Sequence, residues 1–284
     1  MLILLAVLTH YTASLRVLHE EQVIANFWQQ VVWRAPGIKA GTTLFVSYPS
    51  IDYAEDVDAV NGPANFIYFP EQTNQIPAVY QLAALPQMEY STIYVLRGIN
   101  RSTDYRTHVG ELNSDNLLVI SQPTESACVH VIDAQWSRYS NEESDQIRLL
   151  GPYSKIQRVL TNVSAPRPAE FIFGPEPAHA RAWCYYYQKS ELALQEGDWE
   201  KIIQLGEKVT QLGLGPDDRI EWGPFLQAYA WKGDEKAFES TAVKVERFPL
   251  VRQEICSALL KMQETGSTFS PEIQSVMDEK ICHN

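Results

Sequence analysis

The spacing of apolar residues changes character twice along the chain. Residues 1–8 (MLILLAVL) are an unbroken apolar run, continued at lower hydrophobicity to Leu18 by a stretch that includes His10 and Arg16. Between Leu18 and Trp33, Ile24, Phe27, Trp28, Val31 and Val32 recur at helical intervals, which predicts a helix with one side covered. Ala35-Pro36-Gly37 should end it, because proline restricts the residue before it and removes an amide donor. From Gly41 to about Asp133 the period falls towards two. Strands are predicted over residues 42–48, 91–96, 105–112, 116–121 and 127–132, all short, β-branched or aromatic, and together forming one mixed sheet. Asn113-Ser114-Asp115 reads as a hairpin loop between the third and fourth strands. Residues 52–68, interrupted at Gly62-Pro63, and 75–85 are weaker helix candidates, giving a sheet with helices on one face.

Beyond residue 166 the period is helical throughout, with helices predicted over 180–195, 199–212, 218–231, 235–247 and 250–263. Gly197-Asp198-Trp199 returns as Gly233-Asp234-Glu235. In both places a small-residue turn is followed by an aspartate able to cap the next helix. Trp222 and Tyr229 lie seven positions apart, with Gly233-Asp234 four further on. This is the grammar of a tetratricopeptide-like hairpin, a unit that must stack on a neighbour to cover its apolar face. Gly206 and Ala242 stand where such repeats usually carry a large residue, and Phe238 where they carry a small one. The run Trp183-Cys184-Tyr185-Tyr186-Tyr187 exceeds one helical face, since consecutive residues point about 100° apart. Its surplus tyrosines are expected against the sheet domain, with a ligand groove as the sharper alternative. The candidate binding residues are therefore Trp183, Tyr185, Tyr186, Tyr187, Trp199, Trp222 and Tyr229. The division that follows is an N-terminal helix (1–35), an α+β sheet domain (36–165) and a helical domain (166–284). Residues 141–154 and the stiff Ala165-Pro-Arg-Pro-Ala169 form the connection.

Charge narrows the partners. The 284 residues carry 23 basic and 35 acidic groups, a net charge of -12. No basic stripe is visible, which argues against nucleic acid or anionic lipid bound through clustered lysine and arginine. The four cysteines, Cys128, Cys184, Cys256 and Cys282, lack metal-ligand spacing. Cys184 reads as a core residue, and a Cys184–Cys256 bridge is possible in an oxidising compartment, though spacing does not give connectivity. His108 and His130 fall on neighbouring predicted strands without an acidic third ligand. The acidic run Asp52, Glu55, Asp56 and Asp58 lacks the glycine and distal glutamate of a calcium loop. Two glycosylation sequons, at Asn100 and Asn162, are short enough to arise by chance. No nucleophile elbow, phosphate loop or dinucleotide fingerprint is present, so no catalytic residue, metal or cofactor is expected.

The first residues admit three readings. A secretory signal would need basic residues before the apolar run and a small-residue cleavage site after it. A complete spanning helix needs about 20 apolar residues. The favoured reading is the end of a membrane helix that begins upstream; a buried N-terminal helix is the alternative.

The segments FWQQVVWRAPGIKAGTTLF, FIFGPEP, AWCYYYQKSELALQEGDWEKI and EWGPFLQAYA, following an apolar helix end, resemble the C-terminal soluble region of uncharacterised polytopic membrane proteins of filamentous green non-sulfur bacteria. Those proteins look distantly like glycosyltransferases that use lipid-linked sugars. The resemblance implies a bacterial cell membrane, with the soluble part outside the cytoplasm. It assigns no catalytic residue here, because the catalytic carboxylate of that superfamily lies in an early loop of the membrane region. The expected function is a non-catalytic interaction or substrate-positioning module, binding a protein partner or its own membrane region, with a glycan as a further candidate ligand. The alternative is a glycan-active domain.

Overall fold

The computed structural model describes residues 2–49, 57–72, 77–83, 89–105, 108–136, 138–164, 166 and 182–283. The fold is mixed α+β. It opens on one long helix, α1 (Leu2–Arg34), which ends where Ala35-Pro36 was expected to end it. The half of α1 nearer the start is exposed, whereas Phe27, Trp28, Val31 and Val32 are buried against the sheet. After β1 (Gly37–Ile38) come β2 (Thr42–Ser47), α2 (Val57–Tyr68) and β3 (Val79–Ala83). These are followed by α3 (Glu89–Leu96), β4 (Arg101–Tyr105), β5 (His108–Leu112), β6 (Leu117–Ser121), β7 (His130–Val131), α4 (Asp145–Leu150) and β8 (Val159–Leu160).

Among the described residues the strands form three sheets instead of the single one expected. The main sheet has the order β3-β2-β6-β7, with β2 parallel to both β3 and β6 and β7 antiparallel at the edge. β1 pairs with β8 and β4 with β5 in two separate ribbons. Helices cover both faces of the main sheet, not one. Leu44, Val46, Leu118 and Ile120 point to α1 and α2, meeting Phe27, Trp28 and Ile67. Their alternates Phe45, Leu117 and Val119 point the other way, to Val95 of α3 and to Ile147 and Leu150 of α4. Parallel strands need such cover, since their crossovers lie on the faces.

Two elements differ in type from the sequence reading. Residues 91–96, expected as a strand, are helical within α3, because burying Val95 against Ile147 and Leu150 decides between two conformations that this β-branched stretch tolerates equally. Residues 79–83, inside an expected helix, are β3, where pairing with β2 supplies the backbone partners. The loop at Asn113 joins two different sheets and is a short 3-10 turn (Ser114–Asn116) capped by the Asn113 side chain. Asp52, Glu55 and Asp56, the segment FIFGPEP and most of Ala165–Ala169 lie outside the described residues.

The C-terminal region is helical: α5 (Trp183–Glu196), α6 (Trp199–Leu212), a 3-10 turn (Arg219–Trp222) running into α7 (Gly223–Lys232), α8 (Glu235–Val245), α9 (Pro249–Glu264) and α10 (Pro271–Val276). A π-helical turn (Met277–Ile281) closes it. Gly197 and Gly233 each turn the chain with φ of +73°, and Asp198 and Asp234 cap α6 and α8 by accepting from the amides of Lys201 and Ala237. Cys128 is bonded to Cys184 and Cys256 to Cys282, which corrects the Cys184–Cys256 pairing considered from sequence. The first bridge ties the segment before β7 to α5. The second ties α9 to the end of the chain.

Candidate functional site

Sheet and helices meet at a polar junction built on α5. Gln30 of α1 accepts from the Val129 amide (2.9 Å) and from Gln188 Nε2 (3.3 Å), while Gln188 Nε2 also donates to the Val129 carbonyl (2.6 Å). Three elements are thus held by two buried amide side chains, which satisfy backbone groups that water cannot reach. Nearby, Arg34 Nη1 donates to Gln195 (2.8 Å), whose Nε2 donates to the Ile156 carbonyl (3.2 Å).

Between these contacts lies a cleft of about 340 Å³. Its lining includes His130, Asp133, Trp136, Arg138, Tyr187 and Trp199. Arg138 spans it, donating to Gln227 (2.5 Å) and pairing with Glu191. Arg34 also lines it and is 2% exposed, with an Nε that makes no hydrogen bond.

Directly behind His130 sits Glu221, fully buried. Its Oε1 accepts from the Cys128 amide (2.7 Å) and its Oε2 from Trp183 Nε1 (2.5 Å). Cys128 Sγ lies 3.0 Å from Oε2, and, being in a disulfide, has no proton to donate. His130 Nε2 approaches Oε1 at 3.7 Å, beyond hydrogen-bond range, and neither ring nitrogen makes a hydrogen bond. Asp218, cap of the 3-10 turn, completes the group: its Oδ1 accepts from Ile220 N, and its Oδ2 is buried without a hydrogen bond. Burial raises the pKa of the Glu221 carboxyl against the opposing pull of His130. Burial alone would lower that of the His130 imidazole, but Glu221, Asp218 and Glu143 outweigh it and the net shift is upward.

The aromatic candidates divide between core and cleft. Trp183 and Trp222 pack together at 4.6 Å between ring centres and are buried, as are Tyr186 and Tyr229. Tyr185 meets Trp33 of α1 edge-on at 5.4 Å, and Tyr187 meets His130 at 5.7 Å. The surplus tyrosines of α5 therefore face α1 and the sheet. Trp199 stacks on Trp231 and, with Tyr187, reaches the cleft. His108 and His130 stand on strands of different sheets. The chain signals little of this group: Asp218-x-x-Glu221 was the available clue, since residues three apart on a 3-10 turn lie one above the other.

Comparison of the chain with protein-family models, with curated proteins and with solved structures finds no match.

Proposed function

We propose that this chain is a membrane-tethered, extracytoplasmic interaction or substrate-positioning module of a larger membrane protein, anchored through the first turns of α1. The observation that carries this reading is the division of α1 into two environments. Ile3, Leu4, Leu5, Val7, Leu8, Tyr11, Leu15 and Leu18 are all exposed, whereas from Phe27 to Arg34 the same helix is embedded in the protein. So much contiguous exposed apolar surface marks a site that something else covers. The polar residues within the run suit hydrocarbon: Thr9, Thr12 and Ser14 donate their hydroxyls to the carbonyls of Leu5, Leu8 and His10 (2.8–3.0 Å). The first charged pair, Arg16–Glu20 at 2.7 Å, falls at the end of the run. His19 then reaches Glu125 of the sheet domain.

Among the described residues no helix is long and apolar enough to cross a membrane. Residues 2–18 would extend about 25 Å at 1.5 Å per residue, against a hydrocarbon core of about 30 Å. The run is accordingly long enough to enter the hydrocarbon and shorter than a complete span. Two disulfides suit an oxidising compartment. The resemblance set out above adds a bacterial cell membrane. The helical hairpins are assigned a tetratricopeptide-like role, supported by their matching glycine turns and aspartate caps. Stacked hairpins of that kind present extended surfaces to partners.

Flotation of the full chain with phosphatidylcholine vesicles tests the anchor. The parent should rise with the vesicles, and a Leu4→Glu/Leu8→Glu/Leu15→Glu variant, altered only at exposed positions, should keep its melting temperature and stay below. A parent that does not float, or a variant that floats equally, defeats the reading. The cleft favours a second one, a glycan-active domain, because the carboxylates of Asp133 and Glu191 line it together with Trp136 and Trp199. Turnover of polysaccharide or lipid-linked sugar, lost in a folded Asp133→Asn or Glu191→Gln variant, would establish that reading over the non-catalytic one.

A further inference from the structure

We propose that His130, Asp218 and Glu221 form a binding site for one divalent transition-metal ion of the zinc type. One imidazole nitrogen and one oxygen from each carboxylate lie within 4.8 Å of one another. His130 is 3% exposed, and the absence of hydrogen bonds at both its nitrogens leaves a lone pair in an enclosed polar pocket. Asp218 Oδ2 is unpaired in the same way. The 3.7 Å between His130 Nε2 and Glu221 Oε1 is too long for a hydrogen bond. It is close to the roughly 3.3 Å that separates two ligands of a tetrahedral ion at about 2.0–2.1 Å from each.

The surroundings resemble a prepared ligand set. The Cys128 amide and Trp183 Nε1 each donate to one oxygen of Glu221, fixing the carboxylate while leaving each oxygen a further lone pair. The 3-10 turn places Asp218 and Glu221 on the same side. His130 borders the cleft and Glu221 lies behind it, so the ion would sit on the inner side of the imidazole, with an enclosed water as its fourth ligand. Two carboxylates and a neutral imidazole carry a charge of about minus two, which a divalent ion balances. One nitrogen and two oxygens suit zinc or its neighbours, whereas calcium wants six to eight oxygens and magnesium a full octahedron of them. Cys128 and Cys184 are near but are consumed in their disulfide, so the site belongs to the oxidised protein.

The test uses the full chain, tag-free and without reductant. Calorimetric titration with Zn2+ in excess Mg2+ should show one equivalent bound, and Co2+ in its place should give the strong visible absorption of a four-coordinate ion. Zn2+ should also raise the melting temperature. Asp218→Asn keeps the oxygen that caps the 3-10 turn, and His130→Gln keeps a polar side chain. Each removes a direct ligand and should weaken binding by at least the roughly tenfold that loss of an outer-shell partner costs. A parent that takes up no stoichiometric Zn2+, or uptake unchanged in both variants, overturns the proposal. Neither result bears on whether α1 binds vesicles.

Discussion

The hydroxyl of Tyr229 occupies the space that a Cβ on Gly206 would need, with the Tyr229 ring carbon Cζ 3.1 Å and Phe225 Cδ1 3.2 Å from the same point. This contact sets how closely α6 and α7 approach. It also explains why residue 206 carries no side chain: the aromatics of the next helix fill the space that one would need. Gly206→Ala should therefore destabilise the protein, by about 1–3 kcal/mol from overpacking, less the roughly 1 kcal/mol that alanine gains over glycine in a helix. Adding Tyr229→Phe removes the nearest clash and should recover part of the loss. Denaturant unfolding of the single and double variants measures this, and a Gly206→Ala protein more stable than the parent would show that the helices move apart freely.

The two disulfides should differ in what they contribute. Cys128–Cys184 closes 56 residues and joins the sheet to the helices, whereas Cys256–Cys282 closes 26 within the helical end. Chain-entropy arguments give about 4 kcal/mol for the longer loop and about 3.5 kcal/mol for the shorter. Replacing Cys128 and Cys184 by alanine should lower the melting temperature more than replacing Cys256 and Cys282. The reverse order would show that strain or residual structure outweighs loop length.

Local signals were legible in the sequence, and non-local ones were not. Asp198 and Asp234 cap helices that begin one residue later, and the Pro36 stop of α1 lies beside the residue it affects. Such effects act within a turn or two, so a linear reading captures them. Thr92-Ile93-Tyr94-Val95 is ambiguous by composition, and its helical state follows from Val95 packing on α4. In β3, Val79, Gln81 and Leu82 are all buried, so the alternation that would have marked a strand is missing. At the junction, the aromatic run led to Tyr187 and the Gly197-Asp198 turn to Trp199, but Arg34, Arg138, His130, Asp218 and Glu221 converge from distant segments. Only the folded chain brings them together.

Trp222 is 3% exposed, flanked by Trp183 and Phe225, with the Lys244 ammonium 3.8 Å above its ring. Trp222→Ala should cost about 3–5 kcal/mol as a large-to-small change in a packed core. Its indole Nε1 is buried without a hydrogen bond, so Trp222→Phe forfeits no donor and should cost clearly less. Thermal melts of the two variants decide the point. Equal losses would mean that the indole nitrogen or the cation contact matters more than volume, and no loss in either would make Trp222 a surface platform.

Alkaline pH should single out Tyr229. Burial, reinforced by the charges of Asp234 and Glu207, pushes its phenol up to about 12 from 10.0. A folded-state pKa above the unfolded one means that the native protein holds this proton more tightly. The resulting stability is fully present below pH 10 and is lost as pH rises through about 12. At pH 11 the group should have given up about 1.4 kcal/mol, since the unfolded chain is then largely ionised there and the folded chain is not. Other buried tyrosines, Tyr48, Tyr68 and Tyr187, are shifted upward as well, so the parent alone does not isolate the effect. Urea unfolding of the parent and of Tyr229→Phe at pH 8 and pH 11 does. The variant should lose about 1.4 kcal/mol less than the parent over that interval. If both fall in parallel, the Tyr229 hydroxyl titrates as it would in water, and the close packing over Gly206 is not maintained in solution.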